Sequence, residues 1–214
     1  MRTTTPVILA GGLASRFGGV PKGLERVGGQ RIVDRVAAAL VDATGTAPDE
    51  LLVVANDGAA GEWLPGALVV GDVVAGAGAL GGLHAALASA DGAVLVVAWD
   101  MPFVSAPLLR ALCALGEREG ADVALPESTG PLGAEPLCAW YAPSALPVVA
   151  ALLARGERRM GALVDALRVA RLPLADVRAL AGTDPFLNVN TAAELAVAEA
   201  HASTTDGRHR RAEA

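Results

Sequence analysis

Short apolar runs alternate with amphipathic stretches along most of this 214-residue chain, and this alternation limits the folds that it can adopt. The run 93–99 (AVLVVAW) is apolar throughout, which is typical of a buried strand. Residues 31–43 place Ile32, Val36 and Leu40 on one stripe, which predicts an amphipathic helix. Strands that alternate with helices predict an α/β fold, in which helices cover both faces of a sheet. The other predicted strands are 6–10, 51–55, 67–70, 121–126 and 136–141.

Capping residues indicate where several predicted helices begin. Ser105 is placed to cap the helix after the strand just described, and Thr191 with Glu194 forms a capping box at the start of the last helix. From Ser203 onward the chain is polar, so we expect one domain over 1–202 and a disordered tail over 203–214. Two further helices are predicted over 83–90 and about 146–153.

The composition predicts an aliphatic core and an acidic surface. Hydrophobic residues make up 53% of the chain and aromatic residues 3%, so the core is built from valine, leucine and alanine. The net charge of −6 at pH 7 argues against a protein that coats nucleic acid or binds membrane surfaces, although it leaves room for a small basic pocket. Cys113 and Cys138 lie in apolar runs without metal-ligand spacing, so we expect buried core thiols.

No segment of the sequence predicts export or membrane insertion. The apolar run within residues 1–10 is far too short for a signal peptide. Residues 73–90 carry no acidic or basic side chain over a length that could cross a membrane, but four glycines and His84 interrupt them. We interpret them as a loop leading into a buried helix, with His84 as a structural residue, and expect a cytoplasmic protein.

Three chemically suggestive features fall on one edge of the predicted sheet. The glycine-rich loop LAGGLASRFGGVPK (9–22) follows the first strand directly. Asp72 follows the third strand, and Asp100 follows the strand 93–99. Because ligands of such sheets bind beyond the carboxyl ends of the strands, we expect these features to share a site.

The loop 9–22 has the chemistry of a polyphosphate site. Gly11 and Gly12 let backbone N–H groups approach an anion closely. Arg16 offers a two-pronged guanidinium and Lys22 a mobile point charge, and both suit phosphate. The loop is not a Walker A loop, because no G-x-x-x-x-G-K-[ST] pattern aligns with it. The alternative, a plain flexible connector, leaves the two cations without a role.

Asp100 is the leading candidate for a metal ligand. A carboxylate at the end of a buried strand, followed by Pro102, is held rigidly and can bind Mg²⁺, which takes one or two protein carboxylates together with substrate phosphates. Asp72 would support the metal or a ribose. Two alternatives stay open: Asp100 as a simple loop or cap residue, and a dinucleotide site at GAGALG (76–81) in which Asp100 would bind a ribose.

The loop 9–22 resembles the L-A-G-G … R … G … K signature of nucleotidyltransferases with a Rossmann-like fold. Within that superfamily the chain most resembles the molybdenum cofactor guanylyltransferases. The NVNT segment at 188–191 carries most of this distinction, since related cytidylyltransferases for the same pterin resemble DIDT there. The other supporting segments are GALGGLHAAL (78–87), WDMPF (99–103), GERRMGALVDA (156–166) and FLNVNTAAEL (186–195).

The resemblance implies a Rossmann-like, three-layer nucleotidyltransferase fold with a mostly parallel central sheet. It implies the transfer of GMP from GTP to the terminal phosphate of molybdopterin, with release of pyrophosphate. GTP and molybdopterin would be the substrates and Mg²⁺ the cofactor. Transient contacts with other proteins of molybdenum cofactor synthesis are also expected, but no nucleic acid or membrane partner.

The resemblance also implies roles for individual residues. Catalysis is expected from Arg16, Lys22 and Asp100, with Asp100 as the metal ligand, and Gly19 falls on a further functional loop position. Asn188 and Asn190 are expected near the acceptor. The expected nucleotide-binding residues are Leu9, Ala10, Gly11, Gly12, Lys22, Asp72 and Asp100.

One departure from the family pattern concerns the nucleotide base. The family often has V-N-A-N after the second strand, whereas here Val54 stands in place of the first asparagine and only Asn56 remains. Base selectivity is therefore the open point. The alternatives are a nucleotidyltransferase with another base or acceptor, such as a cytidylyl or sugar-phosphate enzyme, and a non-catalytic GTP-binding regulator.

Overall fold

A seven-stranded sheet lies at the centre of the computed structural model, which describes residues 4–10, 21–72 and 76–212, with side chains as far as Thr204. The strands run in the order β5-β4-β1-β6-β8-β7-β9, and β2 and β3 form a separate hairpin. In chain order the described strands are β1 (Thr4–Leu9), β2 (Arg26–Val27), β3 (Gln30–Arg31), β4 (Leu52–Val54), β5 (Leu68–Val70), β6 (Ala93–Ala98), β7 (Val123–Pro126), β8 (Cys138–Tyr141) and β9 (Val169–Leu172).

The sheet is mostly parallel, as predicted. Strands β5, β4, β1 and β6 pair in parallel, and β7 pairs in parallel with β9. Strand β8 is antiparallel to both of its neighbours, β6 and β7. Every residue of β6 is buried, because helices cover both faces at the centre of the sheet. The carboxyl ends of β1, β4, β5 and β6 therefore meet at one edge.

Helices form the two outer layers. Helices α1 and α3 pack on one face of the sheet, together with α6 and part of α7. Helices α2, α4 and α5 pack on the other face. The described helices are α1 (Ile32–Thr44), α2 (Gly78–Ser89), α3 (Ala106–Glu119), α4 (Ala145–Ala154), α5 (Met160–Ala166), α6 (Leu174–Ala181) and α7 (Ala192–Ala212).

The predicted α/β class and all six predicted strands are confirmed, but some boundaries differ. The Ser105 cap is present, because its hydroxyl accepts a 3.4 Å hydrogen bond from the Leu108 N–H. Helix α2 begins at Gly78 rather than near residue 83, since burial of its small residues against the sheet outweighs the low helix propensity of glycine. Among the described residues, no helix is both long and apolar enough to cross a membrane.

The predicted boundary between a domain over 1–202 and a disordered tail over 203–214 falls within helix α7 and stays a prediction. Helix α7 continues to Ala212. It begins at the predicted capping box, and its alanine-rich first half buries Ala198 and Ala202 against the rest of the chain. Once a helix has formed and packed in this way, adding a residue to its end costs less conformational entropy per hydrogen bond than forming a first turn. The helix can therefore extend into the polar sequence that follows.

Candidate active site

Lys22 joins the nucleotide side of the predicted site to the acceptor side. Its ammonium donates a 2.6 Å hydrogen bond to Asp100 Oδ2 and a 2.7 Å hydrogen bond to Asn190 Oδ1. The Lys22 side chain is only 15% exposed and that of Asp100 only 10%, so little water screens this ion pair. Three predicted site residues are thus in direct contact.

The backbone fixes both partners of Lys22. Asp100 lies two residues beyond the end of β6, and its carbonyl accepts a 3.0 Å hydrogen bond from the Val189 N–H, which holds the 188–190 segment against the end of the sheet. The Asn190 N–H in turn donates to the Glu194 carboxylate at 2.8 Å, while the Glu194 N–H donates to Thr191 Oγ1. The predicted capping box therefore also orients the asparagine that reaches Lys22.

An aromatic ring fixes the backbone next to Lys22. Trp99 stacks on Trp63 with ring centroids 4.9 Å apart, and the Trp99 ring packs directly on Gly23. A Cβ atom at Gly23 would lie 2.3 Å from Trp99 Cε3. Only glycine fits there without displacing the ring or the backbone, and neither Gly23 nor Trp99 was recognised in this role from the sequence.

Asp72 is held by Asn56 at the outer end of the sheet. The Asn56 side-chain amide donates to Asp72 Oδ2 at 2.9 Å, and Asn56 Oδ1 accepts from the Asp72 N–H at 2.8 Å. The other carboxylate oxygen, Oδ1, is buried without a hydrogen-bond partner among the described residues. Asn56 is the second asparagine of the family's two-asparagine pattern, and it orients the carboxylate that is predicted to bind the nucleotide. The Oδ1 atom of Asp72 is left to accept a hydrogen bond from a ligand.

A small cavity of about 120 Å³ collects several predicted site residues. Asn188 Oδ1 is buried there and has no partner within the described part of the chain. Ala10, the residue after Leu9, is buried and its N–H donates to the Val54 carbonyl. The residues lining the cavity are Leu9, Lys22, Gly78, Ala79, Gly82, Ala98, Trp99, Asp100, Met101, Leu137 and Asn188.

Part of the predicted site cannot be placed. Gly11, Gly12, Arg16 and Gly19 lie outside the described residues, so their roles stay predictions. His84 lies within α2 and is partly buried, and its buried Nδ1 has no hydrogen-bond partner among the described residues.

A carboxylate that the sequence did not single out lies near Asp100. Glu135 precedes β8, and its Oε1 accepts a 3.3 Å hydrogen bond from the Leu137 N–H. Burial raises the pKa of the Glu135 carboxyl, and the charge of Asp100 adds to this rise.

Both cysteines that the sequence predicts as buried core thiols are reduced. Cys138 is buried as predicted, whereas Cys113 is only partly buried.

The oxygen atoms around the small cavity suit a hard divalent cation. Across the described ranges, no three His, Cys, Asp or Glu side chains group closely enough to hold a metal ion by themselves. Mg²⁺ does not need such a group, because substrate phosphates and water supply most of its ligands. Asp100 and the unpartnered Asn188 oxygen line one cavity and are donors of the preferred kind.

The chain is similar to a group of named transferases. Residues 6–171 match the model of the MobA-like NTP transferase domain. A protein of Desulfosudis oleivorans named molybdenum cofactor guanylyltransferase is 34% identical over 206 residues, which cover 94% of this chain and 96% of that protein. A protein of Vibrio cholerae with the same name is 32% identical over 195 residues, which cover 90% of each.

Solved structures share the fold. Molybdopterin-guanine dinucleotide biosynthesis protein A from Archaeoglobus fulgidus superposes with a TM-score of 0.76 at 29% identity, covering 93% of this chain and 98% of that one. The 2-C-methyl-D-erythritol 4-phosphate cytidylyltransferase from Thermus thermophilus superposes with a TM-score of 0.64 at 21% identity, covering 95% of this chain and 100% of its own. The second likeness concerns the fold alone.

Proposed function

The chain belongs to the MobA-like NTP transferase family, and we propose that it transfers GMP from GTP to the terminal phosphate of molybdopterin, releasing pyrophosphate. The single observation that carries this proposal is the contact of Lys22 with both Asp100 and Asn190. That contact joins the loop expected to bind the triphosphate to the segment expected to bind the acceptor. The similarity to proteins named molybdenum cofactor guanylyltransferase supports the choice of base and acceptor.

The sheet order supports a division of the site into two halves. Asp72 and Asn56 lie beyond β5 and β4, on one side of β1. Asn188 and Asn190 lie against the end of β6, toward β8. We place the nucleotide over the β5–β4–β1 half, with Leu9, Ala10, Gly11 and Gly12 along its phosphates, and the acceptor over the β6–β8 half.

Catalysis in this arrangement is positioning and charge neutralisation. The acceptor phosphate attacks the α-phosphorus in line and displaces pyrophosphate. No general base is needed, because a phosphate monoester is already mostly ionised at pH 7. Lys22, released from part of its contact with Asp100 and Asn190, stabilises negative charge on the phosphates, and Arg16 is assigned to the departing pyrophosphate.

Nucleotidyltransferases of this family generally use a divalent metal. We propose that Asp100 holds Mg²⁺, with Asn188 as a second oxygen donor. When bound, the ion supplies positive charge that neutralises the triphosphate. The contact of Lys22 with Asp100 orients this carboxylate before substrate arrives.

Nucleotide selectivity is the direct test of this function. Calorimetry with GTP, ATP, CTP and UTP in the presence of Mg²⁺ should give the tightest binding for GTP, and pyrophosphate should appear only when molybdopterin is added. Equal or tighter binding of CTP would assign the protein to a related transferase that uses another base. This alternative is tested because Val54 stands where the family pattern has an asparagine. GTP binding without pyrophosphate release would instead indicate a regulator. Cytoplasmic location and transient contacts with other proteins of cofactor synthesis stay predictions.

A further inference from the structure

A second, larger cavity opens beside the catalytic residues. Its volume is about 490 Å³, within the range of small-molecule sites. It lies between the connection from β7 to β8 and the segment from α6 to Asn188. Asn188 lines both this cavity and the small one that contains Lys22 and Asp100, so the two cavities adjoin.

Glu135 stands where the two cavities meet. Glu135 lines the larger cavity, and Leu137, whose N–H donates to the Glu135 carboxylate, lines the smaller one. Only Oε1 takes part in that hydrogen bond; Oε2 receives none from the described residues. A partly buried carboxylate beside a cavity has less solvation than it would have in water, and a ligand with N–H donors would replace the missing hydrogen bonds.

The rest of the cavity suits a flat, polar heterocycle. Phe186 and the buried Pro185 provide apolar surface, while Ser128 and Thr129 provide hydroxyl groups. The cavity lies on the β8–β7–β9 side of Asp100, whereas Asp72 lies beyond β5 at the other end of the sheet. The topology therefore separates this cavity from the proposed base site.

We propose that Glu135 selects the acceptor by accepting hydrogen bonds from the 2-amino group and the adjacent ring N–H of a pterin held in this cavity. This inference rests on the proposed function, since it names the residue that reads the acceptor. A carboxylate matches two neighbouring N–H donors with its two oxygens. The same carboxylate opposes a 2-oxo group, because two acceptors would face each other.

Guanine, a 2-amino-6-oxopurine, presents the same amino group and adjacent ring N–H as a 2-amino-4-oxopterin, so two ligands could supply this chemistry. The probes are therefore 6-hydroxymethylpterin, which lacks a phosphate and cannot be guanylylated, and 6-hydroxymethyllumazine, in which a 2-oxo group replaces the 2-amino group. Binding to the full-length protein is followed by fluorescence and calorimetry, with and without saturating GTP in the absence of metal.

The wild-type protein should bind the pterin at least tenfold more tightly than the lumazine, and GTP should not compete with the pterin. Glu135→Gln should lower the affinity for the pterin about tenfold. It should also reduce the ratio of pterin affinity to lumazine affinity, because the glutamine amide offers an N–H donor that can bind the 2-oxo group of the lumazine. Glu119→Gln, an exposed substitution of the same chemistry, should change neither value. Thr129→Trp, at the exposed rim of the cavity, should block the pterin and leave the fold unchanged.

Three results would overturn the assignment: no pterin binding to the wild-type protein at millimolar concentration, an unchanged pterin preference in Glu135→Gln, or competition by GTP. The last result would make the cavity a base site. If Glu135→Gln fails to fold, pterin binding to Thr129→Trp becomes the deciding measurement. Undiminished pterin binding to that variant would exclude this cavity as the pterin site. Failure of the inference remains separate from failure of the proposed function, because GTP selectivity and pyrophosphate release with molybdopterin are measured independently of free pterin binding.

Discussion

Lys22 and Asn190 are 168 positions apart in the sequence and are joined by a 2.7 Å hydrogen bond. The bond ties the segment at Lys22, between β1 and β2, to the segment that leads into α7. Of the 17 lysine and arginine residues of the chain, Lys22 is the only lysine. A compact ammonium is needed at this position, because Asp100 and Asn190 both approach it within 2.7 Å.

Lys22→Arg should therefore be almost as inactive as Lys22→Ala, although it keeps the charge. The planar guanidinium is larger and cannot take the place of an ammonium between two close oxygens. Both variants should lower the rate of pyrophosphate release about 10- to 100-fold, which corresponds to the loss of a charge-assisted hydrogen bond. Lys22→Ala should also unfold at lower temperature without ligand, since Asp100 loses its ionic partner. Wild-type turnover in Lys22→Arg would show that only charge matters.

The single side-chain amine also allows a direct measurement of site occupancy. Reductive methylation with ¹³C-formaldehyde should give signals from Lys22 and from the N-terminal amine alone. GTP should slow the methylation of Lys22 and shift its NMR signal, because a phosphate replaces part of its present contacts. The Lys22→Arg variant identifies the signal. A Lys22 signal that GTP leaves unchanged would separate this residue from the nucleotide.

The sequence predicted the components of the site better than their contacts. Asp72 and Asp100 were found because both follow apolar runs, and strand ends in a parallel sheet share an edge. Asn190 was found only through the family resemblance, since no local pattern links it to Lys22. The packing of Trp99 on Gly23 could not be predicted, because it depends on how distant segments meet.

The elements missed from the sequence have a common physical reason. Strand β9 has four residues, carries Arg171 and lies at the edge of the sheet, so it lacks the continuous apolar pattern of the central strands. Helices α5 and α6 are seven and eight residues long, too short for a clear helical period. The role of Glu135 could not be predicted from the sequence either, because a single acidic residue in a loop is typical of a solvent-exposed surface.

Gly23→Ala should disturb the position of Lys22. The new Cβ would lie 2.3 Å from the Trp99 ring, which is stacked on Trp63 and has little room to move. Overpacking of this kind costs about 1–3 kcal/mol of unfolding free energy, and activity should fall more than stability because the Lys22 contacts are displaced. Gly58→Ala is the matched control, since nothing lies within 4 Å of a Cβ there. Equal behaviour of the two variants in denaturation and turnover would contradict this packing role.

Asp122 should give the protein stability that is lost in acid. Its carboxylate accepts hydrogen bonds from the Arg168 side chain, from the Arg168 N–H and from the Ser144 hydroxyl. The Arg168 guanidinium holds the pKa of Asp122 well below its usual range. A carboxyl whose pKa is lower in the folded state stabilises that state above its unfolded pKa of about 4, and this contribution is lost as pH falls below that value.

Thermal unfolding of Asp122→Asn and wild type should reveal this loss. At pH 7 the variant should be less stable by about 1 kcal/mol, or roughly 2–4 °C. The difference should shrink steadily below about pH 4, and also at high salt, because Arg168 is 72% exposed. A difference that is constant from pH 7 to pH 2 would mean that Asp122 contributes through packing rather than charge.

Asp100→Asn should abolish metal-dependent turnover while leaving the fold intact. The amide keeps the shape of the carboxylate and can still accept the hydrogen bond from Lys22, but it loses the charge that holds a hard cation. GTP without metal should bind the variant at least as tightly as wild type, since the repulsion between carboxylate and phosphate is gone. Asp91→Asn is the control, because Asp91 is exposed at the opposite end of β6. The measurement is pyrophosphate release as a function of Mg²⁺ concentration, and a wild-type titration curve for Asp100→Asn would remove Asp100 from the mechanism and leave it as a structural partner of Lys22.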